Sequence, residues 1–236
     1  ITMKPTKNKV PCHVGIVLDG NRRIARRLML KTFKGHEWGA KKVEKLFDWA
    51  REIGVEELTL YAFSVENFNR PKNEFNYLMD LFRKEFKEFK NDPRLEFTKV
   101  NFIGRTWMFP KDIQDLMSEI INKTKNNKKF ILNFAMAYGG RAEIIDAVRK
   151  IAKDIKQNKL NINKINEETF KDYLYMESEP DLIIRTSESR LSGFLLYQSA
   201  YSEIIFLPNI MWPEFTKKDF MKAILSYQNR ERRFGR

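Results

Sequence analysis

The stretch HVGIVLDGNRR, His13 to Arg23, joins a strand signal to a phosphate-binding signal within eleven residues. Residues 14–18 (VGIVL) form a short apolar run rich in β-branched side chains, which predicts a strand buried on both faces. The run ends in Asp19-Gly20-Asn21, with Arg22 and Arg23 directly behind. Asn and Gly after Asp also make an ordinary turn, so the tripeptide alone carries little weight. Its position carries more, because open parallel sheets bind their ligands at the carboxyl ends of strands.

The rest of the chain repeats the alternation. Residues 58–63 (LTLYAF), 99–103, 130–137, 181–184 and 203–207 read as further strands. Residues 36–53 read as a helix with Val43, Leu46, Phe47, Ala50 and Ile53 on one face and Gly54 as a stop. Residues 72–90 carry Phe75, Leu78, Met79, Phe82, Phe86 and Phe89 at helical spacing. A helix at about 141–156 repeats Ile144, Ile145, Val148, Ile151, Ala152 and Ile155, and a last helix opens at Thr216-x-x-Asp219. The Lys/Asn-rich stretches at 122–129 and 156–166 read as exposed loops. Strands separated by helices predict an α/β fold: a single domain over 1–236, with a largely parallel central sheet flanked by helices on both faces.

Composition narrows the partners. With 44 Lys and Arg against 31 Asp and Glu, the net charge is +13, which favours phosphates, acidic membrane surfaces or nucleic acid. Cys12 is the only cysteine; a reducing, cytoplasmic setting follows, and its thiol is expected to be a small buried hydrophobe. No apolar run is long enough to span a bilayer, and the first residues lack a signal-peptide core.

The predicted strand ends gather a consistent set. Strand 58–63 runs into Ser64-Val65-Glu66-Asn67-Phe68-Asn69-Arg70, strand 130–137 into Tyr138-Gly139-Gly140-Arg141, and strand 181–184 into Arg185, with Arg190 and Ser192 beyond. Gly20 lets backbone N–H groups approach phosphate oxygens. Arg22, Arg23, Arg70, Arg185 and Arg190 offer charge-assisted, bidentate bonds, and Asp19 a hard carboxylate for Mg²⁺. A structural role explains any one of these arginines equally well; their convergence on one rim argues for a diphosphate.

These residues also resemble a known family, the cis-prenyltransferases that make undecaprenyl and dehydrodolichyl diphosphates. The resemblance rests on His13–Arg23, Gly35-His36, Tyr61–Pro71 (YAFSVENFNRP), Tyr138–Arg141 (YGGR), Asp181–Ser192 with Phe194-Leu195-Leu196, Glu203, Trp212-Pro213-Glu214-Phe215 and Arg230–Gly235 (RERRFG). It implies that Asp19 positions Mg²⁺ on an allylic diphosphate held by Gly20, Asn21, Arg22, Arg23 and Arg70. Arg185, Arg190 and Ser192 would bind isopentenyl diphosphate. Asn21, His36, Ser64 and Asn67 would join Asp19 at the reacting centre, and Glu203 would be a second carboxylate at the metal, acting across a dimer interface. The implied reaction is sequential head-to-tail condensation of isopentenyl diphosphate onto farnesyl or geranylgeranyl diphosphate, giving a long cis-polyprenyl diphosphate that serves as a glycosyl carrier lipid precursor. The growing chain needs an apolar tunnel, walled by helices 36–53 and 72–90 and strands 58–63 and 130–137. DGNRR with ENFNRP leans towards eukaryotic dehydrodolichyl synthases, implying the endoplasmic reticulum membrane if the source is eukaryotic. The tail leans towards a bacterial-type homodimer, and peripheral membrane association fits either.

Three departures stand out. Thr32 replaces an arginine four residues before the histidine, with Lys31 or Lys34 as substitutes. Ile24 replaces an aromatic residue. Thr186-Ser187-Glu188-Ser189 resembles the family's Thr-(Ser/Gly)-Gly-Glu-x with the glycine missing, and the expectation is a loop of full family length. Two other classes compete. A non-catalytic scaffold subunit would have lost Asp19 or the Arg185–Ser192 motif. A nucleic-acid binder would lack carboxylates inside its basic surface, whereas Asp19, Glu66 and Glu203 are expected within this one. The chain also has no Asp-Asp pair, which excludes the DDxxD motif of the all-helical trans-prenyltransferases.

Overall fold

The computed structural model describes residues 10–230. Six strands, β1 (His13–Val17), β2 (Glu57–Ser64), β3 (Thr98–Ile103), β4 (Phe130–Tyr138), β5 (Leu182–Thr186) and β6 (Glu203–Leu207), form one sheet in the order β3-β4-β2-β1-β5-β6. Every pairing is parallel. All five residues of β1 are buried, as a central strand covered on both faces requires.

Register sorts the two faces. Val14, Leu58, Leu132 and Leu182 align across the sheet, as do Ile16, Leu60, Phe134 and Ile184. These rows meet helices α2 (Thr32–Ile53), α3 (Lys72–Phe89), α4 (Lys111–Thr124) and α7 (Lys217–Gln228) in the main core. The opposite face is polar near its amino end. There Asn101 donates to Asn133 at 2.7 Å, Asn133 donates to Thr59 at 2.9 Å, and His13 bonds Thr59 at 2.7 Å. Nearer the carboxyl end Tyr61 stacks on Phe194 and meets Tyr138 edge-on.

Helix α5 (Gly140–Lys156) is rolled away from the orientation its apolar spacing suggests. Its buried residues are Gly140, Glu143, Asp146, Ala147 and Ile151, while Ile145 and Val148 are half exposed. Polar partners decide the roll. The Tyr138 hydroxyl, Gln198 Nε2 and Tyr175 N–H donate to Glu143, and Arg105 grips Asp146 through two bonds of 2.8 and 2.9 Å. Unmade, each such buried group costs on the order of 1–3 kcal/mol, comparable to burying an isoleucine.

Other differences are local. Helix α2 starts at Thr32 rather than 36, the short helix α1 (Asn21–Arg27) lies within the motif after β1, and α4 and the short helix α6 (Glu167–Lys171) lie largely in stretches to which the sequence assigns no element. The Lys/Asn-rich segment at 122–129 accordingly begins inside α4. Cys12 is exposed, because its peptide is drawn to the sheet edge: its N–H bonds the Asp181 carboxylate and its C=O accepts from Glu56 and Glu57.

Candidate active site

At the carboxyl end of β1 the chain makes a left-handed turn at Gly20, with φ 108°. A Cβ there would lie 2.2 Å from Ser187 Oγ and 2.9 Å from the Met211 backbone, so only glycine fits. Asp19 Oδ1 accepts the Gly20 N–H at 2.7 Å, and Oδ2 is shared by Arg185 at 2.8 Å and Arg23 at 3.1 Å. Thr186 Oγ1 accepts from the Asp19 N–H and donates to its carbonyl. Arg23 reaches on to the Ser187 carbonyl at 2.7 Å and to Glu188. The β1 and β5 loops are thereby tied into one unit.

Helix α1 begins at Asn21 and lies directly on α2. A Cβ at Gly35 would fall 1.8 Å from the Asn21 carbonyl oxygen, and one at Gly39 would fall 2.4 Å from Asn21 Oδ1. Two glycines four apart thus let α1 close onto α2 and fix Arg22 and Arg23 over the loop. They also explain why Gly35 does not break the helix.

A second cluster borders the same space. Arg70 donates to Glu74 at 2.9 Å; His36 lies 3.4 Å from that carboxylate, and Arg22 3.5 Å. Burial, reinforced by the Arg70 charge, lowers the His36 pKa to about 4, so the ring is neutral near pH 7. Burial likewise lowers the Arg70 pKa. Glu74 escaped the sequence reading. Its signal was the four-residue spacing from Arg70 across Pro71, which caps α3.

Asp19, His36, Ser64, Glu66, Asn67, Arg70, Arg185 and Ser192 line one cavity of about 350 Å³. Gly20, Arg22, Arg23 and Arg26 line an adjoining one. Ser64 and Asn67 also close the turn at the end of β2, each capping the other's backbone N–H. Both their roles, turn closure and cavity wall, therefore coexist. Arg185 is 3% exposed, yet its Nε and Nη1 have no hydrogen-bond partner. Unpaired guanidinium nitrogens at a buried, cavity-lining position are the mark of an anion site.

Leu18, Asn21 and His36 are shared with a third space, an apolar cavity of about 270 Å³ between α2, α3 and the sheet. Its walls include Val43, Phe47, Leu78, Phe82, Phe86, Ala62 and Met136, on the elements expected to wall the tunnel. Glu44, Glu85, Asp92 and Arg94 also line it.

Some expected residues are placed elsewhere. Arg190 is 66% exposed, paired with Glu188 at 2.9 Å and absent from the cavity walls. The chain runs uninterrupted from Arg185 to Arg190, so the loop is short in fact and the expectation of a longer one is overturned. Glu203 aligns with Leu182, which aligns with Val14, at the opposite end of the sheet from Asp19. Five residues of strand correspond to roughly 16 Å. The two carboxylates of one chain cannot share an ion, and Glu203 pairs instead with Arg230. Lys31 and Lys34 line neither polar cavity, so they do not stand in for the arginine missing at Thr32. Ile24 is buried, a packing residue. Residues 231–235 of the RERRFG tail lie outside the described residues.

The donor set suits Mg²⁺ carried in by a diphosphate. Mg²⁺ keeps waters and needs one or two carboxylates besides phosphate oxygens, and Asp19 is a hard carboxylate at the centre of the arginines. Among the described residues no three His, Cys, Asp or Glu side chains converge to cage a metal without substrate.

Comparison with known proteins places the chain in a family. The undecaprenyl diphosphate synthase family model matches residues 17–235. A tritrans,polycis-undecaprenyl-diphosphate synthase (geranylgeranyl-diphosphate specific) of Pyrococcus horikoshii is 47% identical over 232 residues, 96% of this chain and 88% of the relative. A protein of the same description from Methanopyrus kandleri is 47% identical over 99% of this chain and 88% of its own length. The crystal structure of lavandulyl diphosphate synthase from Lavandula x intermedia, in complex with dimethylallyl diphosphate, superimposes with a TM-score of 0.90 at 33% identity, covering 97% of this chain and all of that one. Neither sequence relative is eukaryotic, so nothing carries the endoplasmic reticulum reading forward. No helix among the described residues is long and apolar enough to cross a membrane. The chain belongs to the undecaprenyl diphosphate synthase family of cis-prenyltransferases and is a prenyl-transferring enzyme.

Proposed function

We propose that this chain extends geranylgeranyl diphosphate by successive cis additions of isopentenyl diphosphate, giving a long polyprenyl diphosphate that serves as a carrier lipid precursor. The observation that carries the reading is the junction of two unlike spaces. A guanidinium-lined cavity with unpaired Arg185 nitrogens adjoins, across the shared walls Leu18, Asn21 and His36, a cavity walled by Phe, Leu and Met. A diphosphate joined to a hydrocarbon chain matches that junction.

In this reading the tight turn at Gly20, with Arg22, Arg23 and Arg70, holds the allylic diphosphate, and Arg185 with Ser192 holds that of the isopentenyl unit. Arg190 turns in from Glu188 when the second substrate arrives. The allylic C1–O bond breaks as diphosphate leaves, with its charge received by the arginines. The terminal alkene carbon of isopentenyl diphosphate forms the new bond to the allylic C1, and C2 of the isopentenyl unit loses a proton to the departing diphosphate, leaving the new double bond. Mg²⁺, held by Asp19 and phosphate oxygens, would neutralise charge on the leaving group. Ser64 and Asn67 form the wall beside the reacting carbons, and neutral His36 orients Arg70 without adding a competing charge. Holding both substrates side by side supplies much of the rate.

We also propose a homodimer through the half-exposed edge strand β6 and nearby Tyr201, with Glu203 acting, if at all, on the partner's site. The test of the function compares starters. Turnover of labelled isopentenyl diphosphate is expected with geranylgeranyl diphosphate and Mg²⁺, more slowly with farnesyl diphosphate, and not in excess EDTA. A single addition to dimethylallyl diphosphate, with no longer products, would favour a short-chain synthase instead.

A further inference from the structure

Helix α1 ends in an apolar triplet that the core does not use. Leu28 is 48% exposed, Met29 94% and Leu30 43%. The turn is well formed: Leu28 N–H bonds the Ile24 carbonyl, Met29 N–H that of Arg26, and Leu30 N–H that of Ala25 at 2.8 Å. Met29 sits at φ 53°, the left-handed position at a helix end where glycine is the low-energy choice. A large apolar side chain is therefore held in a disfavoured conformation and projected into solvent.

The surroundings are basic. Between Asp19 and Glu37 the chain has six Lys and Arg residues and no acid. Arg22, Arg23, Arg27 and Lys34 are paired with carboxylates. Arg26 and Lys31, which bracket the triplet, are exposed and form no ion pair among the described residues. Arg26 also lines the cavity beside the allylic diphosphate loop. An apolar tip between two cations without carboxylate partners (Lys31 lies over the Phe33 ring, 5.6 Å from its centroid), one turn from the phosphate site, complements a surface that is anionic outside and apolar a few ångströms down.

We propose that Leu28-Met29-Leu30, with Arg26 and Lys31, docks the enzyme on the face of an anionic lipid bilayer. Leucine and methionine enter the boundary between headgroups and acyl chains while the cations meet lipid phosphates. Docking here sets the diphosphate cavity at the membrane surface, where a long polyprenyl product must finally go; this purpose, though not the contact itself, rests on the proposed function. Each cation near such a surface strengthens binding by roughly fivefold, and salt screens that share.

The test is co-sedimentation of the substrate-free enzyme with vesicles of phosphatidylcholine and phosphatidylglycerol at a 7:3 ratio, against pure phosphatidylcholine. We expect binding to the anionic vesicles that weakens with salt. It should fall at least tenfold in the triple variant Leu28→Ser, Met29→Gly, Leu30→Ser, and about fivefold or more in Lys31→Glu. Met29→Gly relieves the left-handed strain, so a matched thermal melt separates lost docking from lost folding. Because no substrate is present, the outcome is independent of turnover. Equal binding by the triple variant and wild type would overturn the proposal, as would no preference for anionic vesicles. So would loss of self-association in sedimentation velocity without vesicles, which would give the patch to a second copy.

Discussion

The loop after β1 and the loop after β5 lie side by side on the rim of the polar cavity, and they are built to different standards. The β1 loop is determined several times over. Gly20 is wedged against Ser187 and Met211, Asn21 is pressed onto two helix glycines, and both the N–H and the C=O of Asp19 are bonded to Thr186. The β5 loop is equally firm at Thr186 and Ser187, which are buried, but then runs through exposed Ser189 and Arg190. Three residues of this segment, Ser187, Ser192 and Leu195, are non-glycines at positive φ. Strain of this kind persists only where the surrounding structure holds it. On the proposed assignment, the allylic half of the site is ready before substrate binds, whereas the isopentenyl half would be completed by it, at the cost of ordering Arg190.

Substitutions should follow that division. Asp19→Ala is expected to have the largest effect, a fall in kcat of about 10³-fold with the fold intact, because the carboxylate ties both loops and offers the metal position. Near-normal kcat would show that the prebuilt half is dispensable. Gly20→Ala should cost about 2 kcal/mol or more of stability in a thermal or denaturant melt, together with a fall of about 10²-fold in kcat/KM, since the new Cβ meets Ser187 and the Met211 backbone. An unshifted melt would mean that the turn is looser than described.

The two isopentenyl arginines sharpen the contrast. Arg185→Ala should raise KM for isopentenyl diphosphate by roughly 50-fold, because it removes a buried, pre-positioned guanidinium. Arg190→Ala should raise it by only about fivefold, as expected for an exposed charge recruited at an entropic cost. The allylic starter should be affected less in both. If the two variants lose equally, or lose allylic affinity alone, the assignment of the halves is wrong.

The smallest effect concerns His36. Its unfolded pKa is 6.5 and its folded value is about 4, lowered first by burial and then by Arg70. Between those values the unfolded chain binds more protons, so stability is full above pH 6.5 and declines as pH falls towards 4. His36→Gln should flatten part of that decline in melts between pH 7 and 4.5. An identical slope would mean that the ring does not titrate as described.

Legibility in the sequence followed the same physics. Strands β1 and β2 were plain because central parallel strands must be apolar and β-branched, and the rim followed because their carboxyl ends carry Asp19, Ser64 and Arg70. The apolar walls were legible from the spacing of Leu78, Phe82 and Phe86. The roll of α5 was not: its isoleucines gave a clear stripe, but Glu143 and Asp146 turn inward to partners distant in sequence, Gln198 and Arg105. Gly35 fell outside the predicted helix, because the contact that explains a glycine there, the Asn21 carbonyl, lies on another helix. Glu203 matched a motif, yet only strand register shows how far it stands from Asp19. Helix α4 carries Ile113, Leu116, Met117 and Ile120 at helical spacing and was within reach of the same periodicity.

On the proposed function, cis chain elongation takes place where the polar and apolar cavities adjoin. Its most direct measurement is the double-bond geometry of the product made from geranylgeranyl diphosphate, ¹³C-labelled isopentenyl diphosphate and Mg²⁺, read by ¹³C NMR after chromatography. Cis elongation yields a series of products longer than the starter, in which every labelled unit carries a cis double bond. Labelled units with trans double bonds, or a product that never grows beyond the starter, would contradict it.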